Sequence, residues 1–316
     1  MARLLGDVGG TNARFAWQAS DGAPLRDIAT LPTADHATLA DAITAYLKSI
    51  VQPAPAWCAI GIANPITGDH VQMTNCQWAF SIAAMRQALG FERLVVINDF
   101  TALALALPDL KPTELRQLGG GEAVPGGPLA LIGPGTGLGV SGLIPGDLPG
   151  RWLPLHGEGG HVTLAASSAR EAAVLQVLRD EFGHASAERA VSGQGLEALY
   201  AALCTLDAVT PLTRLPAAAV SQHALAGDDA QCVEAFDLFC AFLGNVAGNL
   251  ALTLGAVGGV YIGGGIVPRL GDAFTRSRFR ACFENKGRFR GYLEAIPVYV
   301  IHTDVSPALL GAARAL

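Results

Sequence analysis

The tightest constraint on the fold is a short glycine-rich interval near the start of the chain. Residues 4–18, LLGDVGGTNARFAWQ, run from apolar residues into an aspartate, two glycines and a threonine, then back into apolar residues. That pattern predicts two strands, over 3–8 and 12–19, joined by a glycine turn. SDGAPL at 20–25 is a second hairpin signal, and RDIATL at 26–31 reads as a third strand. Three strands in succession disfavour a plain dinucleotide-binding fold, which opens strand, helix, strand. The pattern returns in PLALIGPGTGLGVSGLI, residues 128–144, where an apolar strand again meets a glycine turn and a second strand. Two such hairpins point to an α/β chain with two structurally related halves.

Between and after the hairpins, helical and strand patterns alternate. ADHATLADAITAYLKSI has helical spacing, with Leu39, Ile43, Tyr46, Leu47 and Ile50 near one face. WCAIGIA at 57–63 and RLVVIND at 93–99 read as buried strands, each followed by a helical pattern. Residues 75–81 lead into the helix SIAAMRQALG, with Ser81 as its cap. The glycine-rich segment 119–127 reads as a boundary, and helices are expected over 169–182, 194–206 and 229–254. IPVYVIH at 296–302 reads as a strand, and SPALLGAARAL as a final helix.

Composition narrows the function classes. A chain of 316 residues with 51% hydrophobic and 15% charged residues has enough apolar material for about two cores and is not of the disordered class. A net charge of −6 gives no support to a nucleic-acid partner. The arginine-rich RSRFR and KGRFR near the C-terminus read as a solvated or anion-facing surface. Six dispersed cysteines without a CxxC pair read as reduced, mostly buried thiols of a cytoplasmic protein. The uncharged stretch 245–268 has membrane-spanning length, but its glycines favour a helix end, a core strand and a tight turn, so no membrane partner is expected.

Glycines in a turn expose backbone N–H groups and leave room for a phosphate. Gly9, Gly10 and Thr11 present such a surface in the first hairpin, and Gly135, Thr136, Gly137 and Gly139 in the second. An ordinary glycine hairpin is the competing reading for either one alone. Asp7 repels phosphate unless Mg²⁺ or its bound water stands between them. Neither hairpin has the GxxxxGK[ST] spacing of a P-loop. Asn98 and Asp99 end a strand, where α/β domains place ligand groups, and Asp99 is a candidate base as well as a candidate helix cap. His156, Glu158 and His161 form the polar cluster HGEGGH. It lacks HExxH or cysteine-quartet spacing, and suits sugar hydroxyls better than a metal. Glu188 extends this cluster, or else belongs to a helix start with Ser186.

With those residues in place, the chain closely resembles the proteobacterial type of bacterial glucokinase, within the hexokinase, actin and Hsp70 superfamily. The resemblance covers nearly the whole chain and rests on GDVGGTNAR, ANPITGD, MTNCQWAFSI, VINDFTALALA, GPGTGLGV, LPLHGEGGH, HASAERAVSG, GGVYIGGGIVPR and FENKGRF in that order. It implies a two-domain actin-like ATPase (ribonuclease H-like) fold with an active-site cleft between domains. The expected domains are 1–109 plus 303–316, and 110–302. It also implies ATP-dependent phosphorylation of D-glucose at its 6-hydroxyl, with Asp99 as catalytic base. Asn98, Asp99, Glu158, His161 and Glu188 would hold glucose. Gly6, Asp7, Val8, Gly9, Gly10, Thr11 and Asn12 would hold phosphates with Gly133, Gly135, Thr136 and Gly137. Gly263, Gly264 and Gly265 would lie on the adenosine side, and Asp7 would orient Mg²⁺ through water. A cytoplasmic homodimer is expected by the same resemblance.

The related ROK sugar kinases often carry a cysteine-rich zinc motif, whereas VTLAASSAREAAVL after HGEGGH has no cysteine. The related sugar-responsive repressors carry a DNA-binding domain before the first phosphate motif, but five residues precede Gly6 here. A broader hexose kinase and a nonenzymatic actin-like nucleotide-binding protein are the alternative readings. The second leaves Asp99 and HGEGGH without a shared purpose.

Overall fold

A computed structural model describes residues 1–74, 76–148, 150–210 and 215–316. Asn75, within MTNCQWAFSI and at the start of the expected lead into the second helix, lies outside the described residues. Contacts divide the chain into two compact units. The first is Met1–Lys111, Pro154–His156 and Thr303–Leu316; the second is Pro112–Leu153 and Gly157–His302.

The first unit contains β1 (Arg3–Val8), β2 (Asn12–Gln18), β3 (Leu25–Pro32), α1 (Leu39–Ser49), β4 (Trp57–Ile62), β5 (His70–Gln72), β6 (Ala79–Ser81), α2 (Ile82–Leu89), β7 (Arg93–Asn98) and α3 (Asp99–Ala106). Its five-stranded sheet runs β3-β2-β1-β4-β7. The pairs β1–β2 and β2–β3 are antiparallel, and β1–β4 and β4–β7 are parallel. Alternation along β1 sends Leu4 and Leu5 to opposite faces. Leu4 packs with Phe15, Ile43, Tyr46 and Ile60. Leu5 packs with Ala16, Ala59, Leu309 and Ala312. Thr38 caps α1 by accepting from Asp41 N–H at 3.1 Å, while Leu39, Ile43 and Tyr46 turn inward. Ser81 caps α2 in the same way through Ala84 N–H.

The second unit contains β8 (Leu115–Gln117), β9 (Leu129–Pro134), β10 (Leu138–Pro145), β11 (Trp152–Pro154), α4 (Ala169–Phe182), α5 (Gly193–Leu206), α6 (Ala217–Ala226), α7 (Ala230–Leu254), β12 (Val260–Ile262), α8 (Val267–Thr275), α9 (Phe279–Glu284), α10 (Arg290–Ala295) and β13 (Val298–Ile301). Its sheet runs β11-β10-β9-β12-β13-β8. As in the first unit, an antiparallel glycine hairpin, β9–β10, is continued by parallel strands, β12 and β13. The segment 119–127 lies inside this unit, between β8 and β9, and is a loop rather than a boundary. Helix α7 is long and apolar enough to cross a membrane, yet most of it is buried as the central helix of this unit.

The last helix, α11 (Ala308–Arg314), belongs to the first unit and packs on α3 and β1. Gly311 permits its approach, since a Cβ there would overlap the Ala102 carbonyl of α3.

Candidate active site

In the first unit the candidate groups gather at one edge of the sheet. The parallel register places Val8, Ile62 and Asn98 in one row across β1, β4 and β7. Asp7, Asn98 and Asp99 therefore stand at the carboxyl ends of β1 and β7, the two strands that flank β4, where open α/β sheets bind ligands. Asp7 faces Arg14 across the hairpin, and its Oδ2 accepts from the Arg14 guanidinium at 3.2 Å. Asp7 is largely covered, with 13% of its side chain exposed, whereas Arg14 is 43% exposed. Gly9 N–H donates to the Asn12 carbonyl at 2.9 Å and closes the turn. Thr33 then holds the outer side of that turn. Its hydroxyl donates to the Gly10 carbonyl at 2.7 Å and its N–H to the Thr11 carbonyl at 2.9 Å.

The helix-cap expectation for Asp99 is corrected by its neighbour. Asn98 is the N-cap of α3 and accepts from the N–H groups of Phe100 and Thr101 at 2.9 and 3.1 Å. Asp99 occupies the first turn, where its Oδ1 also accepts from Phe100 N–H at 2.9 Å. Negative charge is favoured there by the helix dipole. Gly61 of β4 makes room for α3, since a Cβ there would crowd the Ala102 methyl.

The HGEGGH segment is divided between the two compact units. His156 falls in the first unit, with Nδ1 3.4 Å from the Thr101 hydroxyl, whereas Glu158 and His161 fall in the second. A single helical turn, Gly159–His161, follows Glu158, and His161 N–H donates to the Glu158 carbonyl at 3.0 Å. No group of three metal-ligating side chains occurs among the described residues.

Glu188 joins this loop to the second glycine hairpin. Its N–H donates to the Gly160 carbonyl at 2.8 Å, and its Oε2 accepts from Leu138 N–H at 2.9 Å. Its Oε1 lies 4.0 Å from His161 Nδ1. A Cβ at Gly137 would overlap the Glu188 carboxylate, so glycine makes this approach possible. Gly193 N–H at the start of α5 holds the Gly135 carbonyl at 2.9 Å. The helix start expected at Ser186 to Glu188 is instead a turn. Ser186 bridges Thr163, and α5 begins after its cap, Ser192.

Gly263–Gly265 lies against the same hairpin. Gly263 N–H donates to the Ile132 carbonyl at 2.9 Å, and Gly264, at φ +78°, fits against Pro134. The second unit thus assembles Gly133, Gly135, Thr136 and Gly137 with His161, Glu188 and the 263–265 turn. A cavity of about 630 Å³ opens beside Thr136 and Glu188, walled in part by Phe182, Gln194, Ala198 and Tyr200. Burial pushes the Tyr200 phenol up to about 12, so it is a neutral hydrogen-bonding wall at physiological pH.

Three contributors lay outside the residues singled out from sequence. Arg14 was legible in principle, because a turn centred between Gly10 and Thr11 places it opposite Asp7. Thr33 and the Leu138 N–H depend on contacts distant in sequence and have no local signature.

Two α/β units, each with a glycine hairpin continued by parallel strands, define the class of two-domain actin-like ATPases and sugar kinases. The family model described as Glucokinase matches residues 4–316. The chain is 57% identical over 317 aligned residues to a glucokinase of Aromatoleum aromaticum, covering 99% of this chain and 94% of that one. A crystal structure of glucokinase from an Antarctic psychrotroph superposes with a TM-score of 0.88 at 36% identity, covering 99% of this chain and 98% of that one. A ROK family glucokinase from Streptomyces griseus, solved with glucose and AMPPNP, shares the fold with a TM-score of 0.66 at 20% identity, covering 100% and 99% of the two chains. The chain belongs to the glucokinase family.

Proposed function

We propose that this protein transfers the γ-phosphoryl group of ATP to the 6-hydroxyl of D-glucose, yielding glucose 6-phosphate and ADP. The observation that carries the reading is the shared position of Glu188. One carboxylate touches a glycine turn suited to phosphate and faces the histidine of a loop suited to sugar hydroxyls. The sugar-suited loop that carries His161 on its other side would have no role in a nucleotide-binding protein with no sugar substrate.

In this reaction Asn98, Glu158, His161 and Glu188 bind and orient the sugar, because matched polar partners for each hydroxyl discriminate strongly among hexoses. Asp99 takes the 6-hydroxyl proton as the phosphoryl group arrives. A sugar hydroxyl is too weak an acid to ionise beforehand, so positioning matters as much as basicity. The N–H groups of both glycine turns receive phosphate oxygens, and the cavity beside Thr136 offers room for the rest of the nucleotide. Asp7 suits Mg²⁺ held through water. It is a largely covered carboxylate with one oxygen already oriented by Arg14 and hard-oxygen chemistry at the other. The ion, when bound, supplies neutralisation of phosphate charge.

A cytoplasmic homodimer belongs to the same proposal. Six unpaired cysteines suit a reducing compartment, and light scattering of the purified protein tests the dimer. The reaction itself is tested by measuring ADP release from MgATP with and without D-glucose while assaying glucose 6-phosphate. Equal amounts of both products are expected. Folded protein that binds ATP and shows no glucose-dependent ADP release overturns the reading.

A further inference from the structure

Glu188 makes contacts that a sugar ligand alone does not need. Its backbone is tied at both ends, with its N–H on the Gly160 carbonyl and its own carbonyl accepting from the Ser192 hydroxyl at 2.8 Å. The side chain then leaves this fixed backbone and reaches the Leu138 N–H, fifty residues earlier in the chain. On the other side of the turn, the Gly135 carbonyl is held by Gly193 N–H. The N–H groups of Thr136 and Gly137, which a phosphate turn presents, lie between those two tethers. One tether is a backbone bond at the start of a helix; the other is a single carboxylate oxygen. Gly137 has no side chain where that oxygen sits.

We propose that Glu188 is a positioning residue for the phosphate turn, acting through the Leu138 N–H, in addition to any contact it makes with sugar. The inference rests on the reading of residues 133–139 as a phosphate turn. A carboxylate so placed repels phosphate at long range, so its value to nucleotide binding is geometric: it sets the aim of the Thr136 and Gly137 N–H groups. An amide keeps that geometry, since the glutamine side-chain oxygen accepts the same hydrogen bond without the charge. Alanine removes it and leaves the Leu138 N–H without its partner.

The test is calorimetric titration of Mg²⁺ and AMPPNP into the full chain without sugar. Glu188→Ala is expected to weaken binding by about fivefold to tenfold, as loss of a charge-assisted hydrogen bond would. Glu188→Gln is expected to stay within about twofold of the wild type, because the bond survives. Gly137→Ala attacks the same bond from the other side, since its Cβ displaces the carboxylate. It should reproduce the Glu188→Ala loss, and the double variant should lose little more than either single one. Hydrogen exchange of the peptide spanning Leu138 should quicken in Glu188→Ala and not in Glu188→Gln. Sugar-free AMPPNP affinity unchanged in folded Glu188→Ala, with only the glucose KM raised, overturns the proposal and leaves Glu188 a sugar ligand. Equal losses in alanine and glutamine variants overturn it as well. A wild type that fails to bind AMPPNP overturns this inference and the phosphate-turn reading together, whereas wild-type binding with unchanged variants rejects this inference alone.

Discussion

The two glycine hairpins read alike in sequence and are held in different ways. The first carries its own acid and that acid's partner, Asp7 and Arg14, seven residues apart on facing strands. The second has no charged residue between Gly133 and Gly139, and the carboxylate that touches it arrives from Glu188. A self-contained hairpin keeps its charge pair as long as β1 and β2 pair. A hairpin that borrows its acid is set by the loop and helix start that deliver it. The first unit also brings Asp99 to the strand ends beside its hairpin, while the second brings His161 beside its own. In the proposed reaction the first unit supplies chemistry and the second binding geometry, and each half of that proposal can be broken.

The largest effect should come from the first unit. Asp99→Ala removes the proposed base and should lower kcat by about 100-fold or more, with much less change in the glucose KM. Near-normal turnover from this variant would sink its assigned role. Next comes the support behind the first hairpin. Gly311→Ala places a methyl group against the Ala102 carbonyl and should cost about 1–3 kcal/mol by overpacking. Hydrogen exchange should then quicken in β1 and α3 and stay unchanged in β9 and β10. Uniform quickening in both units would show that the two hairpins are not independently supported. His161→Ala should act in the opposite kinetic sense to Asp99→Ala, raising the glucose KM by about tenfold while kcat falls less. A pure kcat loss there would erase the contrast between the units.

The contrast also explains what the sequence discloses. The β1–β2 hairpin, the strands β4 and β7, and the cap Ser81 follow from local pattern, because each depends on residues within a few positions of one another. The paired architecture was legible because the glycine turn recurs. The short strands β5, β6, β8 and β11 carry too few residues for a periodic signal, and α6 lies between two longer helices without a polar cap, its N-cap being Pro216. At the site, Asp99 was weighed as a cap because Asp and Asn are both good caps; the backbone awarded that role to Asn98. That HGEGGH is divided between the two units was not legible, because proximity in sequence is visible and the course of the loop is not. The bond from Leu138 to Glu188 is a product of tertiary folding and could not be read from either segment alone.

The smallest predicted effect concerns the open end of the first hairpin and is a matter of pH. Arg3 begins β1, lies nearly buried over the Trp57 ring and donates to Asp21 at 2.8 Å, closing the strands at the end opposite the glycine turn. The hydrogen bond from Arg3 and its charge hold the Asp21 carboxyl below its ordinary value, with Arg314 adding to the effect. An acid with a depressed folded-state value stabilises the fold above its unfolded pKa, and loses that contribution as pH falls through the folded value. The contribution is therefore whole at neutral pH and fades below about pH 4. Asp21 is 69% exposed, so solvent screening keeps it under about 1 kcal/mol, or roughly 2 °C in Tm. Asp21→Asn should melt slightly below the wild type at pH 7, and the gap should narrow as pH falls below about 4. A gap that persists unchanged in acid would mean that packing of the loop, not charge, closes this hairpin. The first hairpin would then depend on neighbouring elements as the second does, and the distinction between a self-contained and a borrowed acid would hold only at the glycine-turn end.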